Sequence, residues 1–162
     1  MKHLRLLLLL TIFLTVGCHR SSIPGLVSAQ GKVLFDGAPV NGVNIVFTPS
    51  SGSASDRFAT AVSKDDGTFL LETAGSAGVV PGQYDVTLVK TTTTSKVSPE
   101  EEERLLQSGK PVPEADIVYH IPWKYGNAQL SGITVEIGQS GKKDILLELQ
   151  PDKTPLPVRP KI

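Results

Sequence analysis

The chain has 162 residues, of which 16 are basic and 16 acidic, and it holds 15 glycines, 12 prolines and a single cysteine. The length suits one compact core, and a formal charge of zero offers no basic stripe to neutralise phosphates, which argues against a nucleic-acid partner. So many turn-formers leave room for few long helices, and one thiol excludes a disulfide within the chain.

Lys2 and Arg5 precede an apolar run over residues 6–16, which suits the core of a signal peptide and falls short of the ~20 residues a spanning helix needs. Residues 1–17 are therefore expected to be a removable export signal, and losing its two basic residues leaves the remainder about two negative. Leu14-Thr15-Val16-Gly17-Cys18 is similar to a lipobox, in which a small residue precedes a cysteine that takes a diacylglycerol; Thr15 stands where that pattern prefers leucine. An ordinary secretory peptide and an uncleaved anchor are the competing readings. The position of the one cysteine, at the end of the apolar run, favours lipidation. The expected partner is thus membrane lipid, engaged through acylated Cys18; each buried CH₂ contributes about 0.8 kcal/mol, so two or three acyl chains hold durably where one is marginal. His19 stands where an inner-membrane retention signal often places aspartate, so by analogy the outer membrane is favoured, with the domain facing the periplasm or the cell surface. Residues 18–28, with Pro24 and Gly25, read as a polar tether.

The chain is organised around residues 29–49. Val33 and Phe35, then Val43, Ile45 and Phe47, fall at alternate positions, the period of strands with one buried face. Asp36-Gly37, Pro39 and Asn41-Gly42 lie between them and demand a reversal. A second pair follows, residues 58–63 and then Phe69 and Leu71, joined by the Asp66-Gly67 turn. Pro81-Gly82 launches Tyr84, Val86 and Leu88, again at alternate positions. Five short strands in about sixty residues bury their apolar faces only by packing sheet on sheet.

GKVLFDGAPVNGVNIVF, then SKDDGTFLLET and VPGQYDVTLVK, resemble the carboxypeptidase regulatory-like domain over residues 29–90. The resemblance implies a transthyretin-like β-sandwich with Greek-key connections. With its ends included, the whole chain resembles the short lipoproteins of this type found in planctomycete-like bacteria. Domains of this fold attached to carboxypeptidases have no catalytic role of their own, which implies a non-enzymatic protein.

After Lys90 the pattern changes. Residues 91–95 are polar and β-branched, an exposed strand extension or a loop. Within the insertion over residues 91–116, Ser98-Pro99-Glu100-Glu101 predicts a helix of about ten residues: a capping serine, proline at the first helical position, and Glu101 placed to complete a capping box. Tyr119, His120, Trp123, Lys124 and Tyr125 then gather aromatic and titratable groups in a chain otherwise poor in aromatics. These five are the candidate surface for an envelope-protein or glycan partner, with Trp123 and Tyr119 or Tyr125 as a stacking platform. The competing reading is structural, because Ile121-Pro122-Trp123-Lys124-Tyr125 has the form of a segment that precedes the closing strands in the resembling lipoproteins. There the rings would cover the end of the core. Two further strands, residues 130–137 and 142–149, make seven within a domain spanning residues 29–150. The proline-rich tail, residues 151–162, excludes regular sheet or helix.

Catalytic patterns are missing from the sequence. It has no G-x-S-x-G elbow, no H-E-x-x-H and no C-x-x-C, and Asp65-Asp66 sits in a turn where carboxylates usually cap amides. The expectation is an all-β, seven-stranded Greek-key sandwich with one short helix and no cofactor or metal. Its expected role is that of a lipid-anchored interaction or structural module of the cell envelope, with small-ligand or glycan binding through residues 119–125 as the alternative.

Overall fold

The protein is described from a computed structural model covering residues 23–53 and 56–152; the expected export signal, Cys18, His19 and the tail beyond Asp152 lie outside the described residues. Twelve strands are described. In chain order the first seven are β1 (Ala29–Phe35), β2 (Ala38–Pro39), β3 (Asn44–Pro49), β4 (Ala59–Val62), β5 (Thr68–Leu70), β6 (Glu72–Thr73) and β7 (Ser76–Ala77). They are followed by β8 (Gly82–Val89), β9 (Thr91–Thr94), β10 (Asp116–Tyr119), β11 (Ile133–Ile137) and β12 (Lys142–Leu149).

These strands form an all-β sandwich. In one sheet β1 pairs in parallel with β12 along one edge, and antiparallel with β5 and β2 along the other. The second sheet runs β11-β8-β3-β4-β6-β7. Because β3 lies beside β8 and β1 beside β12, connections cross between the sheets in Greek-key fashion. Alternate residues meet in the middle: Val33, Ile45, Phe47, Val86, Leu88, Leu147 and Leu149 are all buried. Each such side chain contributes about 1.5–3 kcal/mol when fully buried. Phe47 stands at the centre, its ring 6.4 Å from Phe69 of the opposite sheet and 6.0 Å from Tyr84 of its own.

The turn chemistry acts as the sequence requires. Asp36 (φ 52°) and Gly37 (φ 77°) both take positive φ between paired Phe35 and Ala38, the two-residue hairpin that an Asp-Gly pair favours. Asp66 Oδ1 accepts from the Thr68 amide at 2.9 Å and its hydroxyl at 2.7 Å, and these bonds hold its carboxyl below the usual range.

Two expectations are corrected, and backbone and ion-pair contacts are described on both sides of residues 29–150. All seven expected strands are present (β1, β3, β4, β5, β8, β11 and β12), but two-residue ladders add β2, β6 and β7, and β9 pairs with β10. Leu130 is not in the penultimate strand: Asn127 Oδ1 accepts from the Gln129 and Leu130 amides at 2.9 and 3.2 Å, caps the short helix α2 (Ala128–Ser131), and leaves Leu130 exposed. The packed chain includes Val27, which exchanges two backbone hydrogen bonds with Val79, at 2.9 and 3.0 Å, and Ser28, whose carbonyl accepts from the Lys142 amide. Its other end reaches past residue 150 to Asp152, whose carboxylate pairs with Lys124.

Candidate functional site

The insertion is an arm. β8 continues through Lys90 into β9, which pairs antiparallel with β10 from Thr91↔Tyr119 to Thr94↔Asp116, and every residue of both strands is exposed. At its far end Lys96 meets Asp116 at 2.9 Å. The helix between the two strands, α1 (Pro99–Gln107), buries no residue. Ser98 Oγ accepts from the Glu101 amide at 3.3 Å, as a capping serine should. The reciprocal half of the capping box is replaced: the Glu101 carboxylate pairs with Arg104 at 2.6 Å, while that of Glu100 turns back to its own amide and Ser98, which lowers its pKa. Residues 91–94 thus extend the strand and Ser95 leaves it, and the arm carries three consecutive exposed apolar residues, Ile117, Val118 and Tyr119, at 36%, 49% and 39%. Alternation places Ile117 and Tyr119 on one face of the ribbon and Val118 on the other.

Where the arm rejoins the body, Ile121 and Tyr125 are the anchors, both buried and four residues apart across a 3₁₀ turn over Trp123–Gly126. Pro122 (φ −55°) starts that turn, and its carbonyl accepts from the Tyr125 amide at 3.1 Å. The Tyr125 hydroxyl accepts from the Gln150 amide at 3.0 Å, fastening the end of β12. Lys124 lies 2.9 Å from Asp152 and 5.1 Å from the centre of the Tyr125 ring. The Asp152 carboxylate holds the Lys124 ammonium above the ordinary lysine range.

The five candidate residues therefore divide. Lys124 and Tyr125 form a clasp for the end of the domain, and burial removes Tyr125 from any stacking platform. Trp123 is partly buried and Tyr119 exposed, and both line a cleft of about 360 Å³ walled also by Ile117, Ile121 and Leu88. The same two rings line a second cleft of about 290 Å³ with Phe35, His120, Pro122 and Asp152. His120 is exposed, with Nε2 2.5 Å from Thr92 Oγ1. Ile117, Val118, Thr92 and Asp152 belong to this region although the sequence analysis named none of them; the β-branched and aromatic composition of the run Ile117-Val118-Tyr119 is the signal that would have found the arm's second strand.

Among the described residues no group of three or more His, Cys, Asp or Glu side chains is arranged to hold a metal ion, and no helix is long and apolar enough to cross a membrane. No family model matches the chain, and no curated protein matches it. Among solved structures it is similar to a 9R-lipoxygenase from Cyanothece PCC8801, at 13% identity over 93% of this chain and with a TM-score of 0.36. The chain spans 21% of the length of that protein, and a likeness of this strength carries no argument about either fold or activity.

Proposed function

We propose that this chain is a non-enzymatic, lipid-anchored interaction module of the bacterial cell envelope, a carboxypeptidase regulatory-like sandwich held at a membrane through Cys18. Its arm contacts another envelope protein. The observation that carries this reading is the run Ile117-Val118-Tyr119, apolar and exposed on a ribbon that stands outside the core. A partner strand added to such a ribbon would satisfy open backbone groups and bury those side chains. A photocrosslinking residue at Val118 should yield one discrete envelope-protein adduct, whereas the same probe at Leu146, 58% exposed on the body, should not. Identical adduct patterns from the two positions would refute the arm as the contact.

A second reading is favoured by one observation: Trp123 and Tyr119 line two adjoining clefts, a geometry suited to stacking on a sugar ring. Titration with cell-wall oligosaccharides should then shift Trp123 fluorescence. A flat titration removes glycan binding at this place.

A further inference from the structure

We propose that the smaller cleft beside Trp123 is a peptide-binding site whose occupant is the chain's own proline-containing tail, residues 153–162. The inference does not depend on the membrane anchor or on the arm's partner, and three observations converge on it.

The first is where the described chain ends. Asp152 itself lines the 290 Å³ cleft with Tyr119, Pro122 and Trp123, and its ion pair with Lys124 at 2.9 Å fixes the exit point at the cleft's edge. The second is the chemistry of the walls. The rings of Phe35, Tyr119 and Trp123, with that of Pro122, are the kind of surface on which extended, proline-containing segments dock, because flat apolar faces suit a backbone with no internal hydrogen bonds. The third is the sequence beyond the exit, Lys-Thr-Pro-Leu-Pro-Val-Arg-Pro-Lys-Ile, with Pro155, Pro157 and Pro160. Each proline fixes its φ in advance, so docking orders less of the chain.

Reach and concentration agree. An extended polyproline-like chain advances about 3.1 Å per residue, so three residues past Asp152 reach roughly 10 Å, enough to bring Pro155 to the rings that line the cleft with Asp152. A tether this short gives an effective concentration in the millimolar range, so a contact too weak to matter between separate molecules is populated within one. A seated tail covers the faces of Trp123 and Tyr119. Any external ligand of those rings must displace it.

Trp123 is the chain's one tryptophan, so its fluorescence reports this place alone. The test compares acrylamide quenching of the full chain in detergent micelles with two variants: one stopped after Asp152, and one of full length carrying P155S, P157S and P160S. If the tail is docked most of the time at millimolar effective concentration, both variants should quench roughly twofold more readily. A synthetic peptide of residues 153–162 at millimolar concentration should return the truncated chain to the full-chain value, which also shows that its cleft is folded. Equal quenching in all three proteins with no response to the peptide would overturn the proposal. So would shielding of the truncated chain by cell-wall oligosaccharide but not by the peptide. Quenching of the full chain that changes on hundredfold dilution would overturn the assignment to the chain's own tail in favour of a second copy's.

Discussion

Single residues carry identifiable duties. A Cβ at Gly31 would stand 2.1 Å from the Ile145 carbonyl and 2.8 Å from the Phe69 ring, so β1 approaches its neighbours only because no side chain is there. Gly31→Ala should therefore destabilise by about 3 kcal/mol, the upper end for overpacking, measured by denaturant unfolding. Two titrating groups give pH signatures of opposite sense. Asp66 has its folded pKa lowered by Thr68, so its contribution is present above about pH 4 and fades as pH falls through the lower folded value. Thermal melting should show the wild type losing more stability than Asp66→Asn below that pH. Lys124 is the reverse: its folded pKa is raised by Asp152, so its contribution is intact below about pH 10.4 and is lost as pH rises through the higher folded value. The advantage of wild type over Asp152→Asn should hold from neutral pH to about 10 and then vanish. At this scale the turns were legible, because Asp36-Gly37 and Asp66-Gly67 need only their own backbone preferences. Tyr125 was legible only as one of two alternatives, since the partner of its hydroxyl, the Gln150 amide, lies 25 residues away.

At the scale of elements, the body and the arm differ in what holds them. β3 and β8 alternate buried and outward residues across the full width of the core, whereas β9, β10 and α1 bury nothing. A helix of nine residues with no packed face is marginal in water, so its cap and its Glu101–Arg104 pair are its main local supports. Replacing residues 92–118 by a short glycine-serine turn should leave the melting temperature within a few degrees, because few buried contacts are lost. Hydrogen exchange in the intact chain should release α1 amides far faster than those of β3. Ser98, Pro99 and the following glutamates made α1 legible in the sequence. The arm's ribbon was not, since four consecutive threonines carry no apolar alternation and their partner strand lies more than twenty residues on. Leu130 misled for a related reason: it is an apolar residue close before β11 but out of phase with Ile133, Val135 and Ile137, and the Asn127 cap draws it into a helical turn.

At the scale of the molecule, the seven principal strands followed from period-two patterning, but their arrangement did not. The parallel pairing of β1 with β12 joins residues more than a hundred positions apart, and no local pattern specifies which strands become neighbours. Once assembled, the sandwich places Val27 and the exit at Asp152 at fixed positions and lets the arm project from β8, which suits a body tethered at one end and reaching for a partner with another part. The tether is the central claim, and Cys18 decides it. The most direct measurement is metabolic labelling with a clickable fatty acid, followed by membrane fractionation, for the wild type and Cys18→Ala. The expected result is label and sedimentation with membranes in the wild type, both lost in the variant; wild-type protein that is unlabelled and free in the medium would contradict it.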